Sequence, residues 1–159
     1  MDERLLIVAR LTAARKDLDE VVDRLTDGLL SWAPREGMRT VGGQLLEIVG
    51  TEIQVLARIS PHPELSYDEA LAAVGNFESL DNLKKRMTEV RSETLAFLNS
   101  LTADQLYEDA NIPNEWNESL GLSQMPRGEV FRSIAQHEAY HTGQLVSYLW
   151  SRGDDPYSW

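Results

Sequence analysis

His137 and His141 stand four residues apart in the stretch HEAYHTGQL, which runs from His137 to Leu145, and they are two of the chain's three histidines. On a helix, residues at that spacing have Cβ atoms about 5–6 Å apart on one face, which suits two ligands of one small cation. Val130, Ile134, His137, His141, Leu145 and Tyr148 follow one another at steps of four, three, four, four and three, the spacing of an inward stripe. Two imidazoles therefore stand where the period calls for Leu or Ile. Buried without partners, they would cost on the order of a few kcal/mol, so something must satisfy them.

Three arrangements would do so. The first is a pair of core histidines held by ordinary side-chain or backbone hydrogen bonds. The second takes HEAYH as the H-E-x-x-H of zinc proteases, with Glu138 as general base. The rest of that signature is missing: the metzincin extension needs Gly and His where this chain has Gln144 and Ser147, and none of the 18 residues after His141 is the glutamate another protease type requires. The third is a metal site in the core of a helical bundle, its remaining protein ligand supplied by a facing helix.

The chain has no cysteine, so such a site must use imidazole and carboxylate, which suits zinc, nickel, iron or manganese. Two histidines and a carboxylate leave a position open for water or substrate. Glu52 and Glu47 are the candidate carboxylates. Glu52 shares a stripe with Val41, Leu45, Ile48, Val55 and Ile59, whereas Glu47 falls among Gln44, Thr51 and Gln54 on the more polar side. Periodicity alone favours Glu52.

The elements that must position these groups are helical. Ile7, Leu11, Ala14, Leu18, Val22 and Leu25 keep helical spacing from Glu3 to about Asp27, with Arg10, Arg15, Lys16, Asp19, Glu20 and Asp23 on the opposite, polar face. Pro34 and Gly37 mark a loop. Thr40 is the expected N-cap of a second helix reaching Ile59, with Gly42 and Gly43 just inside it, where they let another segment approach the backbone closely. Ser60 to Asn76 reads as a long connection holding a short helical turn over Tyr67 to Val74. Leu80, Leu83, Met87, Val90, Thr94, Phe97 and Leu101 form the seam of a third long helix, with Lys84, Lys85, Arg86 and Glu89 on its solvated face. Between Thr102 and Pro126 the pattern lapses into a loop without regular structure that crosses one end of the domain, long enough to cover a site. The fourth long helix starts near Arg127 and stops near Arg152, before Gly153 and Pro156. Four amphipathic helices and no strand pattern predict an all-α, four-helix bundle with long connections after helices two and three.

Composition narrows the partners. A chain of 159 residues fits one domain over its full length, and 15 Lys and Arg against 26 Asp and Glu leave a formal charge of −11. So acidic a surface repels nucleic acid and anionic membranes. No apolar run reaches the roughly 20 residues needed to span a bilayer, and Met1-Asp2-Glu3-Arg4 is not the start of a secretory signal, so a cytoplasmic protein is expected. Any reactive thiol must come from outside the chain. Trp32 and Trp116 are expected to seal the ends of the bundle, Trp150, Tyr157 and Trp159 to pack on the body or a second subunit, and His62, between two prolines, to be exposed.

HEAYHTGQL, preceded by Thr40-Val41-Gly42-Gly43-Gln44-Leu45-Leu46-Glu47 and followed by Leu149 to Tyr157, resembles the DinB-like (YfiT-like) superfamily over nearly the whole chain. The resemblance implies a four-helix bundle holding a divalent metal, usually zinc or nickel, through one histidine on the second helix and an H-x-x-x-H pair on the last. His137 and His141 match that pair. Counted from Thr40, the family's remaining histidine falls on Glu47, so this chain departs from the three-histidine pattern. On this alignment Glu47 is the third ligand, Glu52 a reserve ligand or a partner of one, and Gln144 a pocket residue or a partner of a ligand. If Glu47 faces the site, Gln44 and Thr51 should line the same opening. The resemblance further implies an enzyme that uses its metal to activate a low-molecular-weight thiol for transfer or isomerisation of small electrophiles, often as a homodimer. Metal-dependent hydrolysis and non-catalytic binding of a metal or small ligand are the alternatives.

Overall fold

The computed structural model describes residues 2–75, 79–119 and 121–159. Met1, Asn76 and Leu120, which fall within segments read above, lie outside the described residues. Four long helices, α1 (Glu3–Val22), α2 (Val41–Ile59), α4 (Leu80–Ser100) and α6 (Arg127–Ser151), form the bundle, with the short helices α3 (Tyr67–Val74) and α5 (Asn114–Ser119) in the two long connections. Among the described residues the only β-type pairing is an isolated bridge between Asp109 and Pro126, and no helix is long and apolar enough to cross a membrane. α6 packs against α1 and α2, α2 also packs against α3 and α4, and α1 touches α4.

Local chemistry sets most of the helix starts. Asp2, Thr40, Ser66 and Ser79 each place a side-chain oxygen on a first-turn N–H, and Ser66 and Glu69 complete a reciprocal capping box at α3. α1 ends at Val22, short of the expected Asp27. Arg24 N–H and Leu25 N–H bond three residues back, to Val21 and Val22, while Leu25 remains buried. The apolar stripe thus outlasts the regular helix.

Gly42 meets the close approach expected of it. Its N–H donates to the Leu30 carbonyl at 2.8 Å, and a Cβ there would stand 2.8 Å from the same oxygen. Gly143, by contrast, would place a Cβ within 4 Å of nothing. Gly42→Ala is expected to cost about 1–3 kcal/mol through overpacking against backbone, whereas Gly143→Ala should gain up to about 1 kcal/mol from helix propensity. Urea denaturation of the two variants checks the opposite signs.

The connection between α4 and α6 crosses one end of the bundle as expected, but it corrects the expectation of a loop without regular structure that covers a site. It contains a 3-10 turn at Asp104–Leu106 as well as α5. Leu106, Ala110, Ile112 and Met125 are buried against Ile7, Leu11, Val55, Ile59, Leu98 and Phe131. Those apolar residues follow no helical or strand period, and they plug the end of the bundle rather than cover the histidines. Trp116 packs against the same cluster and Trp32 against the other one, so the two tryptophans seal opposite ends. At the tail, Arg24 pairs with Asp154 and lies 4.7 Å from the Trp159 ring centroid. His62 is exposed.

The core is in two parts. One apolar cluster gathers Leu18, Leu25, Leu45, Ile48, Leu83, Val90, Leu145 and Leu149, and the other gathers Ile7, Leu11, Val55, Ile59, Leu98, Val130 and Phe131. Near the junction of the two clusters, each of the four long helices contributes one residue to an inward ionic layer: Arg15, Glu52, Arg91 and Glu138. Arg91 binds both oxygens of Glu52, at 2.8 and 3.1 Å, and Glu138 Oε2 at 2.6 Å. Arg15 donates to Glu138 Oε1 at 2.5 Å and to Glu52 Oε2 at 3.3 Å. The remaining guanidinium nitrogens donate to the carbonyls of Leu11 and Met87. Two cations and two anions therefore close a neutral layer across the bundle, and each of the four long helices is tied to it. Burial opposes the charge of Arg91, but the hydrogen bonds and charges of Glu52 and Glu138 outweigh it and raise its pKa. Arg15, which the sequence pattern assigns to the polar face of α1, reaches inward over that helix to join the layer.

Candidate metal centre

α6 carries both histidines toward α2. His141 is buried and His137 half-buried, at the edge of the core rather than its centre. Their Nε2 atoms face each other at 3.1 Å. Two nitrogens bound to one zinc at about 2.0–2.1 Å in tetrahedral geometry stand roughly 3.3 Å apart, so the pair already has nearly the spacing of two ligands.

Neighbouring amides determine which nitrogen of His141 is free. Tyr148 OH donates to the Arg39 carbonyl at 3.0 Å and accepts from Gln44 Nε2 at 3.2 Å. Gln44 is thereby turned so that its Oε1 lies 2.5 Å from His141 Nδ1. Gln144 Oε1 is 2.8 Å from the same nitrogen. Two acceptors at Nδ1 require the proton there, and the lone pair is then at Nε2, aimed at His137. This is the outer hydrogen bonding that orients a metal-binding imidazole. Gln144 thus lies beside His141, a candidate ligand.

Glu47 completes the group. It, His137 and His141 each offer a ligand atom, and the three atoms lie within 4.8 Å of one another. Arg39 Nη1 lies 2.7 Å from Glu47 Oε2, and Tyr67 OH donates to the same oxygen. A carboxylate has about four lone-pair sites, so one hydrogen bond and one ion pair at a single oxygen leave capacity for a cation. The donor set, two neutral imidazoles and one carboxylate, fits a divalent metal. A pocket of about 450 Å³ opens beside it, lined by Arg39, Gln44, Glu47, Tyr140, His141 and Gln144 among others. Gln44 thus lines the opening as expected, while Thr51 is not among its lining residues.

Burial, followed by the proximity of His141, pushes the pKa of His137 down to about 4, and burial also lowers that of His141. Both rings are neutral at pH 7, the form that coordinates cations. Burial and then the Glu47 carboxylate push Tyr67 up to about 12, so its hydroxyl keeps the proton it donates.

Glu52 faces inward as its stripe predicts, but both its oxygens are taken by Arg15 and Arg91, and it is not part of the histidine group. Glu138, the base of the protease signature, points to the ionic layer and is 1% exposed. It is sealed from substrate. Another pocket, of about 440 Å³, opens between α1 and α4 over Arg15 and Arg91, whose guanidinium groups are already paired. Sequence reasoning missed Arg39 and Tyr67 as neighbours of Glu47. Neither lies on the stripe that carries a ligand, and only the fold of the connections brings them in.

Neither the curated proteins nor the solved structures yield a match to this chain. The family model of the DinB superfamily matches residues 10–145, a span that contains Glu47, His137, His141 and all four residues of the ionic layer. With the all-helical bundle and the histidine pair in place, the chain belongs to the DinB superfamily.

Proposed function

We propose that the protein is a divalent-metal-dependent enzyme acting on small molecules, in which Glu47, His137 and His141 hold the metal, zinc or nickel in the first instance, and an external thiol is the nucleophile. The observation that carries this is the convergence of one ligand atom each from Glu47, His137 and His141 within 4.8 Å of one another, with the two histidine Nε2 atoms 3.1 Å apart, beside an open pocket. A cation held there supplies Lewis acidity, lowering the pKa of a thiol or water nucleophile toward neutrality. The protein's own residues do the rest. Gln44 and Gln144 keep the His141 proton on Nδ1, Glu47 offsets part of the metal's charge, and Arg39 and Tyr140 border the entrance for substrate. The chain has no cysteine, which is consistent with a thiol arriving as cosubstrate.

The test is an assay on chelator-stripped protein reloaded with zinc or nickel, given a small thiol and a generic electrophile. Thiol consumption should depend on the metal, cease with chelator and be absent in His141→Ala. Stoichiometric metal without turnover would instead mark a binding protein. Metal-dependent ester or amide cleavage without thiol would mark a hydrolase.

A further inference from the structure

We propose that Tyr67 and Arg39 are positioning residues for Glu47: they anchor one oxygen of its carboxylate and thereby set the affinity of the histidine site for a divalent cation. This rests on the metal reading above and deepens it.

Three separate segments meet at Glu47. Arg39 immediately precedes the N-cap of α2, Glu47 lies on the second turn of that helix, and Tyr67 is the first residue of α3. Both groups engage Oε2, Arg39 through an ion pair with Nη1 at 2.7 Å and Tyr67 through a hydrogen bond from its hydroxyl. Each donor is itself held. Tyr148 OH binds the Arg39 carbonyl, and the same hydroxyl accepts from the Gln44 amide that orients His141. Tyr67 starts a helix fixed by the Ser66–Glu69 capping box and by burial of Ala70 and Val74.

The chemistry explains why two anchors are used. A ligating imidazole is rigid, and one hydrogen bond at its outer nitrogen orients it. A glutamate has a flexible stem and two equivalent oxygens, so it presents one of them reproducibly only if the other is tied down. With Oε2 doubly engaged, the remaining oxygen is the one left for a cation. The connection between α2 and α4 thus contributes to the centre by supplying Tyr67.

Zinc affinity of the stripped 159-residue chain, measured by competition with a chromophoric chelator, tests this in wild type, Glu47→Gln, Tyr67→Phe, Arg39→Gln and the double variant Glu47→Gln/Tyr67→Phe. Loss of an outer anchor should weaken zinc roughly 10-fold or more in Tyr67→Phe and in Arg39→Gln. In the Glu47→Gln background, removal of the Tyr67 hydroxyl should change affinity little, because it acts through that carboxylate. Cobalt(II) bound to Tyr67→Phe should also give a visible spectrum altered from that of wild type. If Glu47→Gln weakens zinc but Tyr67→Phe and Arg39→Gln bind it as wild type does, the positioning role is wrong and the metal reading stands. An equal loss from Tyr67→Phe with and without Glu47 would also overturn it. If wild type binds no zinc, or Glu47→Gln binds it unchanged, the reading of Glu47 as a ligand falls first.

Discussion

Glu138→Gln is expected to destabilise the protein by about 3–5 kcal/mol, the cost of leaving buried charge without its partner. Glu138 accepts from Arg15 at 2.5 Å and from Arg91 at 2.6 Å, and it is 1% exposed. Glutamine preserves the shape but removes the charge. The layer then holds two guanidinium ions against the single carboxylate of Glu52. A loss of that size is a large part of a typical folding free energy and corresponds to a melting temperature lower by roughly 10 °C in a chain of this length. Lys84→Ala, which breaks an ion pair with Asp23 on the surface, should change stability by less than about 1 kcal/mol. Replacing all four charged residues with apolar ones of similar volume should cost far less than the sum of the single losses, since no charge is left unpaired. Thermal and urea unfolding of the three variants gives the comparison.

The second large effect is on metal-linked stability. A cation that binds the folded chain alone stabilises it by about 2.7 kcal/mol at one hundred times its Kd, so zinc or nickel should raise the melting temperature by several degrees. His141→Ala and His137→Ala should abolish that rise. Without metal the two variants should differ, because His141 is buried and holds Gln44 and Gln144 whereas His137 is half-buried. His141→Ala therefore loses stability even in chelator, and His137→Ala less so. Differential scanning calorimetry with and without chelator separates the two contributions.

The four long helices were legible because each carries a sustained apolar stripe, and the caps at Thr40 and Gly153 marked ends that the structure reproduces. The histidine pair was legible for the same reason, as polar residues standing in a stripe. Glu47 was different. Periodicity set it on the polar side of α2, and only the resemblance anchored at Thr40 and HEAYHTGQL pointed to it. The stripe containing Glu52 was correctly inward, yet a buried carboxylate requires a cation without specifying which kind. Here Arg15 and Arg91 supply it, and a one-dimensional pattern does not distinguish guanidinium from metal. Arg15 illustrates the limit: its backbone position lies on the polar side of α1, while its long side chain reaches the core. The end-crossing course of the α4–α6 connection was legible from its turn-rich sequence, but its 3-10 turn and α5 were not, because its buried residues, Leu106, Ala110, Ile112 and Met125, keep no sustained period. Tyr67 was inside a segment recognised as a short helical turn, but its pairing with a residue 20 positions earlier depends on how α3 folds back on α2.

The most direct test of the metal centre is a crystal of chelator-stripped protein soaked in zinc and measured at the zinc absorption edge. An anomalous peak bonded to His137 Nε2, His141 Nε2 and one oxygen of Glu47 is the predicted result. No peak at that position, or zinc bound elsewhere with the two Nε2 atoms still hydrogen-bonded to each other, would contradict it.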